Sequence, residues 1–408
     1  MSGAQPAGRA ATRGLVALFA ATFLELSGLF MLGPLLLLTL KARGVESAWV
    51  GLFAAAQWLG MAAATPFAAA AVRRLGARRA LLAAAALPFV AFAAMALTER
   101  VLLWALLYLA AGVAGALRWI VAEAMVAELA PPERRGRIVG LFETMVGLTF
   151  VVGPALLAAL SAGGVEAGTI RGLAQLLLGT ALLLSLRVPT LHSHLADDGA
   201  RLGLAGIVDT LRATPAVMAA GLVGGFFEAG LASVLPLYGL SIGLGAALAA
   251  LLVSASGLGS AAMMLPVGEL VDRWGRRTVW LGCALLNLGA TLLLPWVGQF
   301  GALAWLIALL WGGAGGGLYT VAMIDIGHRH QGVRLVSATA VLVLAYTLGG
   351  LLAPALGGVA LQFAPQWGFP ALLAFWAVAG LAAIAFTSSA PPGRSEGADS
   401  PLGGPRAI

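Results

Sequence analysis

The sequence predicts an all-α integral membrane protein with twelve transmembrane helices in two pseudo-symmetric bundles of six. Three observations carry this. The first is composition: of 408 residues, 10% are charged and 61% are apolar or aromatic, where a soluble globular chain carries roughly 25% charge. The second is length. A bilayer core about 30 Å thick takes roughly 20 apolar residues per helix, so twelve spans use about 240 positions and leave the rest for loops. The third is that the chain repeats itself at an offset near 200 residues.

Apolar runs place spans near 14–40, 49–71, 80–97, 101–127, 137–161, 169–188, 215–242, 246–270, 278–298, 300–326, 334–363 and 366–388. The polar stretch 189–214 reads as a cytoplasmic linker between bundles 14–188 and 215–388. Residues 1–13 and the Gly, Pro and Ser-rich stretch 389–408 read as disordered cytoplasmic tails. Of 24 Lys and Arg, nineteen then fall on inner segments, and the outer loops hold only Lys41, Arg43, Arg100 and Arg171. By the positive-inside rule both termini are cytoplasmic, which suits a multi-pass protein of a bacterial inner membrane. The first run is too long for a signal peptide and lacks a small-residue cleavage site, so it is read as a retained helix. The net charge of +7 follows this topology. It does not point to nucleic acid, because no soluble domain remains to carry such binding. A single cysteine, Cys283, excludes a disulfide framework or a Cys-based zinc site within the monomer.

The repeat is visible in four anchors. "FLELSGLFMLGPLL" in span one answers "FFEAGLASVLPLYG" in span seven, setting Glu25 opposite Glu228. Pro66 answers Pro266, "RRLGARR" at 73–79 answers "DRWGRR" at 272–277, and "GPALL" at 153–157 answers "APALG" at 353–357. Duplication of this kind builds many secondary carriers, whose sites lie at the midplane between repeats.

The stretch "GELVDRWGRR", Gly268 to Arg277, resembles the signature loop of the major facilitator superfamily. Its first-half copy is degenerate, with Arg73 in place of the signature Asp and Ala69 in place of its Gly. With the spans, linker and repeat, the resemblance extends over about 14–388 and implies that superfamily's fold and alternating access, most like small bacterial carriers of the efflux type. Within the signature, Asp272 ends a helix beside Arg273, Gly275, Arg276 and Arg277. Its charge suits cations and the free amides of a neighbouring helix N-terminus. The resemblance places that neighbour at the start of span five, near Arg137, and implies a latch for the outward-facing state. The plainer alternative is that these arginines only set topology.

A charge at the bilayer centre costs roughly 2.5 to 3.5 kcal/mol on insertion scales, so ionisable groups inside spans face the protein interior or a water-filled path. Glu25, Arg118, Glu123, Glu143 and Glu228 qualify. In the superfamily, helices one, four, seven and ten line the cavity. Glu25, Arg118 and Glu228 fall on three of these, and Tyr319 on the fourth. Arg118 between the two glutamates reads as a switchable ion pair that couples transport to protons, against the alternative of a static buried pair. Glu123 and Asp325 are inner gates or interfacial carboxylates, and Glu143 is a latch partner or a lateral contact. Trp119 is a cavity wall or a packing residue. Gly147, Gly153 and Pro154 in span five partly resemble the antiporter motif of the superfamily, although Ala158 and Ala159 replace its later glycines; close helix packing is the alternative.

"GGAGGG" at 312–317 has no preceding strand and no lysine, so it reads as helix packing and not as a phosphate loop. The pairs His192 with His194 and His328 with His330 read as solvated loop residues; no metal site is expected. No nucleophile and base pair or cofactor fingerprint stands out, so neither an enzyme nor a cofactor is expected. The expected protein is a monomeric secondary transporter in the lipid bilayer, exporting a small amphipathic organic compound against protons. Alternatives are proton-coupled uptake of an anionic metabolite clamped by Arg118, and a receptor or scaffold that kept the carrier fold.

Overall fold

A computed structural model describes residues 5–131, 135–189, 212, 214–299, 303–329 and 332–387. Hydrocarbon offers a backbone no hydrogen-bond partner, so each apolar run satisfies itself as a helix. In order these are α1 (Gln5–Ala42), α2 (Ser47–Ala64), α3 (Ala68–Leu75), α4 (Ala77–Ala96), α5 (Val101–Leu129), α6 (Arg135–Ala162) and α7 (Ala167–Ser185). The second group is α8 (Pro215–Ser241), α9 (Ala246–Trp274), α10 (Arg276–Leu293), α11 (Leu303–Arg329), α12 (Gly332–Phe363) and α13 (Gly368–Thr387). Among the described residues, ten helices are long and apolar enough to cross a membrane, and α8 and α13 contain shorter apolar segments, Val217–Glu228 and Gly368–Ala382. With α3 as a short extra piece, this is the architecture of twelve spans.

Two expectations are corrected. Residues 5–13, expected as a disordered tail, are helical and continue α1, because Ala and Arg are strong helix formers. The expected span 49–71 is broken: a 3₁₀ turn at Thr65–Phe67 separates α2 from α3. Pro66 supplies no N–H, and the Thr65 hydroxyl donates to the Met61 carbonyl at 2.8 Å, so the ladder is interrupted there. The second-half counterpart, Pro266, sits inside the continuous α9. Most of the linker 189–214 and the tail from 388 lie outside the described residues, as do His192, His194 and His330.

The repeat is a repeat of packing. A Cβ added at Gly60 of α2 would sit 2.1 Å from the Leu109 carbonyl oxygen of α5, and one at Gly112 would sit 1.9 Å from that of Gln57. In the second half, a Cβ added at Gly259 of α9 would sit 1.8 Å from the Leu309 oxygen, and one at Gly312 of α11 would sit 2.0 Å from that of Ser256. Both crossings therefore need glycine for backbone contact. Gly76 and Gly275 end α3 and α9 at φ 79° and 81°, a conformation natural only to glycine. The first-half signature thus keeps the turn although it lost the acid.

Taking the arginine-rich ends as inner, the two groups of helices meet toward their outer ends. The Ser47 amide of α2 donates to Gln362 of α12 at 2.9 Å, and a Cβ at Gly51 would lie 2.2 Å from the Pro354 carbonyl oxygen. Ser254 of α9 donates to the Val151 carbonyl of α6 at 3.1 Å. Buried apolar residues form two clusters. One runs through the second half and across the outer end of the first; the other, around Leu18, Leu81, Val126 and Phe142, is confined to the inner end of the first half.

Candidate functional site

The first helix of each half carries a carboxyl group, and the two have opposite surroundings. Glu25 on α1 is 2% exposed and Arg118 on α5 is 3% exposed. Their charged atoms lie 3.1 Å apart. The guanidinium also donates to Thr22, one turn before Glu25, at 3.1 Å, and to Ser185 at the end of α7, at 3.3 Å. All its partners belong to the first half, so the cation is compensated within one bundle.

Glu228 on α8 is partly exposed and receives hydroxyl groups. Ser260 of α9 donates to its Oε1 at 2.7 Å, and the Tyr346 phenol of α12 hydrogen-bonds to the same carboxyl. The ring of Tyr319, on α11, stands 4.8 Å from that of Tyr346 at 60°. Glycines make this possible: a Cβ at Gly225 would lie 1.9 Å from the Tyr346 carbonyl oxygen, and one at Gly349 2.0 Å from that of Leu222. Removing two side chains lets α8 and α12 touch, which brings the phenol to the acid.

Arg118 does not bridge the two glutamates. It stands with Glu25, and among the described residues no ion pair reaches Glu228. The reason is that Thr22 and Ser185 fix the guanidinium fork toward α1 and α7. Tyr319 does join the Glu228 group, through Tyr346. Trp119 is 40% exposed, and Glu123 is exposed one turn further along the same face of α5. Glu143 and Arg137 lie on α6, but their side chains are outside the described residues.

At the inner end, Asp272 is exposed and makes no ion pair among the described residues. Arg273 pairs with Glu269 of its own helix at 3.8 Å, both 73% exposed. Arg276, at the start of α10, pairs with Asp325 of α11, whose side chain is 4% exposed. Asp325 is therefore a tie between α10 and α11. Arg277 is exposed, and open space surrounds Gly268. In span five, a Cβ at Gly153 would lie 2.7 Å from Phe30 and 2.9 Å from the Ser27 carbonyl oxygen, so this glycine admits α1. Gly147 faces Ala261 of α9 at 3.9 Å. Pro154 lies within α6 and lines a small cavity with Phe30, Tyr108 and Phe150.

Sequence reasoning missed Thr22, Ser185, Ser260 and Tyr346. A signal existed for the last, since only four tyrosines occur in the chain and this one sits mid-span. The hydroxyls of Ser and Thr gave none, because in apolar helices they bond to their own backbone as readily as to a neighbour.

The family model described as Major Facilitator Superfamily matches residues 18–332 and again 217–405. The chain belongs to the major facilitator superfamily. Among curated relatives of this superfamily member, the uncharacterized MFS-type transporter YfkF of Bacillus subtilis is 24% identical over 262 residues. An uncharacterized MFS-type transporter of Yersinia enterocolitica is 27% identical over 274 residues. Each match covers 62% of this chain and spans 64% of the relative's length. Solved structures show the same fold. A point mutant of the nucleoside transporter NupG superposes with a TM-score of 0.72 at 13% identity, over 93% of this chain and 99% of its own. A D-xylose-proton symporter gives 0.72 at 16% identity, over 93% and 97%. A bacterial homologue of the human lysosomal transporter Spinster gives 0.71 at 14%, over 95% and 96%.

Proposed function

We propose that this superfamily member is a monomeric secondary transporter of the bacterial inner membrane, with cytoplasmic termini, exporting a small amphipathic organic compound against proton entry. Residues 14–188 and 215–388 are the two bundles that rock, and 189–214 is their tether. The observation that carries proton coupling is the setting of Glu228. A carboxylate accepts hydrogen bonds from Ser260 and Tyr346; the neutral acid keeps those partners by donating to one hydroxyl and accepting from the other. Both protonation states are therefore satisfied in place, and no counter-charge has to move. Glu25, held by Arg118, is the static group of the pair.

The contact between bundles at the outer end, and the exposed Asp272, support an inward-accessible state with the latch released. Rocking the bundles would separate α2 from α12 and α6 from α9, and bring Asp272 toward the start of α6. Trp119 and Tyr319 give the cavity aromatic surface for the apolar part of a substrate, with Glu123 near its mouth. The small residues of α6 support the efflux direction. Uptake of an anionic metabolite loses its main support, because the Arg118 guanidinium is buried and already engaged by Glu25, Thr22 and Ser185. A receptor or scaffold role has no observation in its favour.

The test is flux in sealed vesicles over a panel of amphipathic compounds, with and without an imposed pH gradient. Wild type should accumulate or expel at least one compound in response to the gradient, and Glu228→Gln should lose that response. Unaltered gradient dependence in Glu228→Gln would reject the assignment. The latch has its own test: Asp272→Asn should slow transport while leaving stability within about 0.5 kcal/mol, as for an exposed site.

A further inference from the structure

At the outer end of the first six spans two cations converge on one ring. Trp104, near the start of α5, is fully buried. Its Nε1 donates to the carbonyls of Met95 and Thr98 at 3.0 and 2.9 Å, which fixes the indole. The guanidinium carbon of Arg43, from the α1–α2 connection, lies 4.9 Å from the ring centroid, and that of Arg171, near the start of α7, lies 5.3 Å away. Stacking on the indole favours each cation modestly. The two like charges nonetheless stand in each other's field.

Nothing among the described residues compensates them well. Glu99 approaches Arg43 at 4.0 Å but is itself 91% exposed, a geometry that contributes little. Arg171 has no ion pair among the described residues, and its buried Nε has no hydrogen-bond partner. An orphaned buried donor and an uncompensated pair of cations both cost free energy. An oxyanion bound from outside would remove the second cost, because the open ends of guanidinium forks match the oxygens of a phosphate. The fold does not require the cluster. At the repeat offset of about 200, the second half carries Ile242, Ala304 and Ala371 in these places.

We propose that Arg43 and Arg171, seated on Trp104, form a site for the phosphate of an acidic phospholipid headgroup. The surroundings favour a lipid over a soluble anion. Beyond Arg171, α7 exposes Leu173, Leu176 and Leu183, and beyond Trp104, α5 exposes Leu106. These leucines lie around the helices from the cations and mark the hydrocarbon-facing sides of α5 and α7, so the cluster stands at the membrane interface where headgroups lie. The site lies far from Glu228 along the spans and is independent of the transport reading.

Full-length protein in detergent is compared with Arg43→Gln, Arg171→Gln, the double variant and Arg100→Gln, a cation of the same face that does not stack on Trp104. Native mass spectrometry counts bound phosphatidylglycerol, and unfolding temperature is recorded without additive, with phosphatidylglycerol and with inorganic phosphate. The double variant should bind phosphatidylglycerol about tenfold more weakly than wild type, and Arg100→Gln should bind it normally. Without lipid, Arg171→Gln should unfold at the wild-type temperature or above, because one of two like charges is gone; with phosphatidylglycerol the order should reverse. Stabilisation of wild type by inorganic phosphate alone, lost in the double variant, would uphold the oxyanion site and move its source to solution. Wild-type binding of both ligands by the double variant would overturn the proposal. So would an Arg171→Gln defect of equal size with and without lipid, which marks a purely structural role.

Discussion

Glu25 and Glu228 lie within about one turn of matching places in the repeat, yet the two halves of the molecule treat them differently. The first half holds its carboxylate against a guanidinium and shuts both away from water; the second sets a partly exposed glutamate among hydroxyl groups. Duplicated backbone geometry thus does not duplicate electrostatics. A buried ion pair is held mainly by the cost of separating it, since a charge left alone in a low-dielectric interior is far less stable than the pair. A carboxyl held by hydroxyls carries no such constraint.

The largest test of this contrast removes one member of the pair. Glu25→Gln should destabilise the protein by about 3 to 5 kcal/mol, a large share of a typical domain's stability, as read by thermal unfolding in detergent. The double variant Glu25→Leu with Arg118→Met should be less damaging than Glu25→Gln alone, because no lone cation remains. If the single and double variants are equally unstable, the pair is not the reason. Next come the helix crossings, where the halves should agree. Gly112→Ala and Gly312→Ala each push a Cβ into a facing carbonyl and should each cost about 1 to 3 kcal/mol or more; a marked difference between them would show that the packing repeat is only approximate. Glu228→Gln, by contrast, keeps its hydrogen-bond partners and should stay within about 1 kcal/mol of wild type. Its effect should appear in gradient-driven flux. Ser260→Ala, which removes one donor from a partly exposed acid, should cost about 0.5 to 1.5 kcal/mol and leave the rest of the fold untouched.

Some of this was legible in the residues. The positions of twelve apolar runs follow from hydrocarbon thickness, and most boundaries fall within a few residues of the helices. The break at Thr65–Phe67 was not legible, because Pro66 and Pro266 look alike in sequence and only one of them interrupts its helix. Arg118 could be recognised as buried and in need of an acid, but two acids stood at suitable depth. The choice between them depends on which way the guanidinium points, and that is set by Thr22 and Ser185, residues with no distinguishing pattern. Tyr346 reaches Glu228 only because Gly225 and Gly349 let α8 and α12 touch. The pairing of Arg43 and Arg171 on Trp104 joins three segments spread over more than a hundred residues of chain, and no local period announces it.

The solvent, the run of spans and the internal duplication were all readable along the chain, since they depend on hydropathy and on recurring motifs. Only tertiary contacts pair Arg118 with Glu25, surround Glu228 with hydroxyl groups and bring Arg43 and Arg171 onto one indole. The physical reason is range. Burial in lipid is a property summed along twenty consecutive residues, whereas an ion pair or a hydrogen bond is settled within about 3 Å between groups that only the folded bundle brings together.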